Sequence, residues 1–198
     1  MNPLNINIEE HPLEPFLPHN ARLLMLGSFP PQRKRWCMEF YYPNFINDMW
    51  RIVGHVFFDD KHHFVDEKNK CFKKDCLIDF LNEKGIALFD TATAIRRLQD
   101  NASDKFLEVI TPTDIPLLLK QIPHCKAIAT TGQKATDIIC ETFNIHQPAI
   151  GSYCTFVVDE KTVRLYRMPS SSRAYPMKLE KKIRLLPQDV GRSRNPLT

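Results

Sequence analysis

Short apolar runs, each closed by glycine or by a polar turn, constrain this chain more than any other feature. Arg22-Leu23-Leu24-Met25-Leu26 ends at Gly27, and the pattern returns at Ile86-Ala87-Leu88-Phe89-Asp90, at Ala127-Ile128-Ala129-Thr130 and at Val163-Arg164-Leu165-Tyr166-Arg167-Met168. Runs this short and this apolar read as buried strands. Between them the apolar residues fall at helical spacing. Phe45, Met49, Ile52, Val53 and Val56 predict a helix over 44–57; Ile115, Leu118, Leu119 and Ile122 predict another, and Ala135, Ile138, Ile139 and Phe143 a third. Strands alternating with helices predict an α/β fold, three layers α/β/α, around a central, mostly parallel four-stranded sheet. Tyr153 to Val158 is a candidate extra edge strand, turned by Asp159-Glu160-Lys161 into the last run.

A chain of 198 residues has room for one domain with a real core, here residues 1–198 as a single unit. Residues 59–75 are a polar insertion of mixed charge, and 187–198, with Arg192 and Arg194, read as a loose basic tail. No apolar run approaches membrane-spanning length, and Met1-Asn2-Pro3-Leu4-Asn5 lacks the blocks of a signal peptide, so the expected location is the cytoplasm. Cys37, Cys71, Cys76, Cys125, Cys140 and Cys154 lie apart without a C-x-x-C doublet, which predicts reduced structural thiols rather than a zinc or iron–sulfur site. His55, Asp59, Asp60, His62 and His63 cluster in or beside the insertion without a ligand register. No metal and no organic cofactor are therefore expected. The net charge of +4 suits a polyanionic partner but is too small to argue one alone.

In an open parallel sheet, ligands bind beyond the carboxyl ends of the strands, where loops and helix N-termini converge. Residues 27–42, the neighbourhood of Asp90, Thr131-Gly132-Gln133-Lys134 and residues 169–175 occupy such places. In the first loop Gly27 allows a tight turn, Pro30 and Pro31 stiffen it, and Tyr41 or Tyr42 offers a ring on which a flat base can stack. The last, Pro169-Ser170-Ser171-Ser172-Arg173-Ala174, offers hydroxyls, backbone N–H groups and a cation suited to phosphates and to a wedge into a duplex. Asp90 has two readings: a carboxylate facing the ligand, or the N-cap of a helix over Thr91-Ala92-Thr93-Ala94.

The order and separation of Gly27-Ser28-Phe29-Pro30-Pro31, the Tyr41-to-Trp50 run and Met168-to-Tyr175 resemble the uracil-DNA glycosylase superfamily, most closely its mismatch-specific and hypoxanthine-DNA glycosylase branch. The likeness runs from His11-Pro12-Leu13-Glu14-Pro15 to about Tyr175. It implies that Tyr42 is the stacking aromatic and that Ser28, Phe29 and Asn47 bind the base. Asn47 matches the asparagine of a P-x-N-x-F-W-like run, with Phe45 and Met49 at its proline and phenylalanine. Ser170, Ser171, Ser172 and Arg173 match an L-P-S-T-S-P-A-N run and would bind DNA, with Lys134 beside them. The chain departs from the family at the catalytic asparagines. Phe29 stands where the mismatch-specific branch has the asparagine of G-I-N-P-G, and Thr131 stands before Gly132 where the hypoxanthine branch has its own. Asp90, matching the aspartate of a G-I-A-L-W-D run, and Thr131 are the remaining catalytic candidates.

The expected function is a monomeric, cofactor-independent DNA glycosylase-like repair protein, with no obligate protein partner. It would flip a deaminated base, uracil or hypoxanthine, out of DNA containing a deaminated or mismatched base and hydrolyse its N-glycosidic bond. A catalytically silent binder of DNA or nucleobases on the same fold is the alternative, and an enzyme of free nucleosides a third.

Overall fold

The structure is a computed structural model that describes residues 8–98 and 106–185. The tail expected over 187–198 lies outside the described residues. In chain order the strands are β1 (Ile8–Glu10), β2 (Leu23–Gly27), β3 (Val65–Asp66), β4 (Cys71–Phe72), β5 (Ile86–Asp90), β6 (Ala92–Arg97), β7 (Leu107–Pro112), β8 (Ala127–Thr131), β9 (Tyr153–Val158) and β10 (Lys161–Met168). The helices are α1 (Met49–Phe58), α2 (Lys74–Lys84), α3 (Ile115–Gln121), α4 (Gln133–Phe143) and α5 (Leu179–Arg184).

The central sheet has the order β5-β2-β8-β10-β9, its first four strands parallel and β9 antiparallel at the edge. The four expected strands are thus joined by the fifth at Tyr153–Val158. Every residue of β2 and β5 is buried. Side chains alternate between the two faces of a strand, so continuous burial means that both faces are covered. Trp50 of α1, Leu77 and Leu81 of α2, Ile115 and Leu119 of α3 and Ile139 of α4 share one core with Leu24, Leu26, Leu88, Ile128 and Leu165 of the strands. Burial of such side chains contributes roughly 1.5–3 kcal/mol each. No helix among the described residues is long and apolar enough to cross a membrane.

Register brings the chemistry to one edge. Gly27 pairs with Asp90, and Thr131 with Met168, so β2, β5, β8 and β10 all end together. Each strand is entered by a sharp turn. Before β5 this is Gly85, at φ +64°, where a β-carbon would come within 2.6 Å of the Asn20 carbonyl.

Three local expectations change. The helix over 44–57 begins only at Met49. Asn44 Oδ1 accepts from the Ile46 N–H and Asn47 Oδ1 from the Met49 N–H, while the Asp48 N–H donates to the Ser171 carbonyl, so residues 44–48 are turns tied to the last loop. Thr91-Ala92-Thr93-Ala94 does not open a helix. It enters β6, the middle strand of a second, antiparallel sheet β1-β6-β7, and the N-cap reading of Asp90 falls with it. The polar insertion holds the β3–β4 hairpin and the start of α2. The histidines in and beside it diverge: His63 stacks on Phe58 at 3.7 Å, His62 meets Glu67, and His55 of α1 lies beside Asp59.

Candidate active site

A cleft of about 400 Å³ opens over the carboxyl edge of the sheet, between the first loop, the Tyr42–Asn47 segment and the last loop. Ser28, Phe29, Tyr42, Asn47, Asp90, Thr131, Ser170, Ser171, Ser172 and Arg173 all line it. These are the sequence-derived candidates except Lys134, which sits in the first turn of α4 away from the lining. A volume of this order is at the small end of organic ligand sites.

Asp90 forms the floor. It is 6% exposed, and its Oδ2 accepts a hydrogen bond from His11 Nε2 at 3.0 Å. Oδ1 has no hydrogen-bond partner among the described residues and is not sealed off from the cleft. Gly27 makes that possible, because a β-carbon there would come within 2.4 Å of Asp90 Oδ1. The Asp90 backbone is fixed by its pairing with Gly27 and by the Thr113 hydroxyl, which donates to its carbonyl at 2.7 Å.

His11 is the residue that sequence reasoning passed over, although it opens the matched region. Its position follows from the second sheet. β1 pairs antiparallel with β6, Glu10 opposite Ala94, and the His11 N–H donates to the Thr93 carbonyl at 2.8 Å. β6 starts two residues after Asp90, so this pairing carries the imidazole to the carboxylate. Phe89 at 4.6 Å, Phe29 at 5.2 Å and Tyr41 at 6.4 Å between ring centroids enclose the imidazole. An Nε2 facing a carboxylate carries the proton. Nδ1 lies 3.2 Å from the Leu13 N–H and 2.8 Å from the Leu13 carbonyl. The neutral ring accepts from that N–H, and the charged ring donates to that carbonyl. Burial pushes the Tyr41 phenol well above its ordinary range, and the charge of Asp90 pushes it further.

Tyr42 is half-buried and holds a left-handed backbone, φ +49°. For a residue with a β-carbon this conformation costs of order 1–3 kcal/mol, and such strain gathers at ligand sites. Its ring packs edge-on to Trp50 at 5.8 Å, and its hydroxyl shares a hydrogen bond with Thr131 Oγ1 at 3.0 Å. The Thr131 hydroxyl also reaches the Leu26 carbonyl at 3.4 Å, so it braces the tyrosine and the sheet. Phe29 is buried against Ala92, Ile95 and Leu107, tying the first loop to the second sheet. Arg97 reinforces that tie through two 3.0 Å hydrogen bonds to Glu9 and one of 3.2 Å to the Pro30 carbonyl.

The last loop is organised by Asp48. Its Oδ1 accepts from Arg173 Nε at 2.9 Å and its Oδ2 from Lys182 Nζ at 3.4 Å; Lys182, 1% exposed, also donates to the Ser172 carbonyl at 2.8 Å. Ser170 Oγ accepts from the Ser172 N–H, and Ser172 Oγ from the Ala174 N–H. A hydroxyl that accepts in this way keeps its own hydrogen to donate. Buried Arg51 donates to the Phe45 and Asn47 carbonyls; burial and the neighbouring Arg173 charge lower its pKa. Sequence reasoning found Arg173 but not its anchors, whose lone acidic and basic letters resemble any surface charge.

Among solved structures, the chain is similar to a solution NMR structure from Methanosarcina acetivorans described as "a putative Uracil DNA glycosylase", with a TM-score of 0.59, 20% sequence identity, and coverage of 93% of this chain and 99% of that one. No family model and no curated protein matches the chain. The chain shares its fold with that protein across nearly the whole length of both.

Proposed function

We propose that the chain is a DNA glycosylase-like protein that receives an extruded deaminated base, uracil or hypoxanthine, in the cleft and hydrolyses its N-glycosidic bond without a metal or organic cofactor. The observation that supports this most is the Asp90 carboxylate, with one oxygen held and the other left open to a cleft that Tyr42 also lines. The fold likeness agrees with it.

In this reading Tyr42 stacks on the base, Ser28, Phe29 and Asn47 shape its pocket, and Ser170 to Arg173 meet the flanking phosphates. The bond from C1′ to the base nitrogen breaks with its electron pair on the base, leaving a cationic sugar that the Asp90 carboxylate stabilises. Water supplies oxygen to C1′, and Asp90 takes the proton that water sheds before it passes to the departed base. Thr131, whose hydroxyl is bonded to Tyr42 and to the Leu26 carbonyl, serves as the brace of the stacking ring.

Single-turnover cleavage of labelled oligonucleotides carrying uracil, hypoxanthine or xanthine, with alkali to reveal abasic sites, tests the proposal. Asp90→Asn is expected to slow product formation by roughly 10²- to 10⁴-fold. Phe29 and Thr131, standing in place of both family asparagines, favour a second reading, a binder that does not cleave. Folded protein that binds lesion DNA in a salt-dependent manner and yields no abasic product would establish that reading instead.

A further inference from the structure

We infer that His11 is a positioning residue for Asp90, fixing the carboxylate so that Oδ1 rather than Oδ2 meets the reacting sugar; the inference rests on the glycosylase reading above. The pair is buried, with side chains 4% and 9% exposed, and its members are 79 residues apart in the chain. A carboxylate buried this deeply needs a donor, and a single donor to one oxygen also chooses which oxygen remains. The choice is enforced from both sides. Nε2 of His11 takes Oδ2, and the missing side chain of Gly27 leaves the space that Oδ1 fills.

The imidazole has little freedom to move. Its backbone is hydrogen-bonded to β6, its Nδ1 lies within hydrogen-bonding distance of both polar groups of the Leu13 backbone, and Phe29, Tyr41 and Phe89 surround its ring. A lysine or arginine on Oδ2 would neutralise the carboxylate outright. An imidazole instead orients it through a single Nε2–H hydrogen bond and leaves the other oxygen to face the cleft. The pairing of β1 with β6 in the second sheet brings the histidine to the carboxylate.

The test pairs His11→Phe, which keeps the ring and its packing, with His11→Gln, whose side-chain amide N–H can reach Oδ2. Dissociation constants for a lesion oligonucleotide, single-turnover rates and melting curves are measured on both. His11→Phe is expected to lower the rate roughly 10- to 100-fold with unchanged oligonucleotide affinity, and His11→Gln to restore most of it. Equal rates in wild type and His11→Phe, or no recovery in a folded His11→Gln, would overturn the inference. ¹⁵N NMR of the wild-type imidazole supplies an arm that needs no catalysis: the proton sits on Nε2 and its signal moves in Asp90→Ala. A proton on Nδ1 alone overturns the inference even if cleavage is seen. If the wild type yields no abasic product, the glycosylase reading fails, and the NMR arm alone then decides whether His11 orients Asp90.

Discussion

Two buried aspartates, one lining the cleft and one anchoring the last loop beside it, are treated in opposite ways. Asp90, at the end of β5, meets one imidazole and keeps an oxygen open to the cleft. Asp48, just before α1, meets a guanidinium and an ammonium, with Arg51 close by, and so sits in an excess of positive charge. The first arrangement leaves a carboxylate oxygen free to meet a ligand, and the second uses both oxygens to hold cations in place. Under the proposed glycosylase reading the contrast would divide the labour: a polyanionic strand would be met at the Asp48 end through Arg173, and a transiently cationic sugar at the Asp90 end. It also places rigidity where chemistry needs it, because Asp90 is set in the sheet whereas Arg173, with its side chain 49% exposed, is carried on a loop.

The largest effect expected from this contrast is on stability. Asp48→Ala would strand Lys182, one of the most buried side chains in the molecule, without its carboxylate. Breaking a buried pair from one side typically costs about 3–5 kcal/mol. Asp90→Ala leaves only an imidazole without its hydrogen-bond partner and is expected to cost about 1–3 kcal/mol. Urea unfolding of both variants checks the ranking. Equal losses would mean that the two carboxylates do the same structural work.

A second test asks whether Asp90 acts on its neighbour Tyr41. Tyr41 keeps its proton in the folded protein well above the ordinary tyrosine range, first through burial and then through Asp90. The sign follows from linkage: a raised phenol stabilises the fold below pH about 10, and that contribution is lost above it by up to about 1.4 kcal/mol per pH unit. Ultraviolet titration should find a tyrosine that resists ionisation in the wild type and ionises at lower pH in Asp90→Asn. No change between the two would mean that burial alone holds the Tyr41 proton and that Asp90 contributes nothing to it. On the opposite side, Arg173→Ala should weaken DNA binding about equally for lesion and undamaged strands and reduce the salt slope by about one. A loss confined to lesion DNA would move Arg173 from the phosphates to the base.

The same contrast explains what could be read in the sequence. The central sheet was legible because strands covered on both faces appear as unbroken apolar runs, and Gly27, Asp90 and Thr131 were legible as strand ends for the same reason. The second sheet was not. Ala92-Thr93-Ala94 has small residues following an aspartate, the local pattern of a helix start, and only pairing with the distant β1 makes it a strand. His11 was lost with that sheet, since a histidine declares its role through a partner that sequence proximity does not reveal. The late start of α1 has a similar cause. Asp48 holds the N-cap position, but its N–H donates to the Ser171 carbonyl and its carboxylate is taken by Arg173 and Lys182, so the residues before it are tied to the far end of the chain.

The smallest effect concerns the ring that bridges the two ends. Tyr42→Phe removes only the hydroxyl bonded to Thr131 and keeps the face on which a base would stack. One hydrogen bond of this kind contributes about 1 kcal/mol, and here it opposes a left-handed backbone that a phenylalanine would retain. Lesion affinity should therefore fall severalfold while undamaged DNA binds as before, because the ring is released without being removed. Tyr42→Ala should then lower lesion affinity further, with undamaged DNA again little changed. If Tyr42→Phe costs as much as Tyr42→Ala, the hydroxyl and its brace on Thr131 matter more than stacking. If neither variant alters lesion preference, recognition lies with Phe29 and Asn47 on the remaining walls of the cleft.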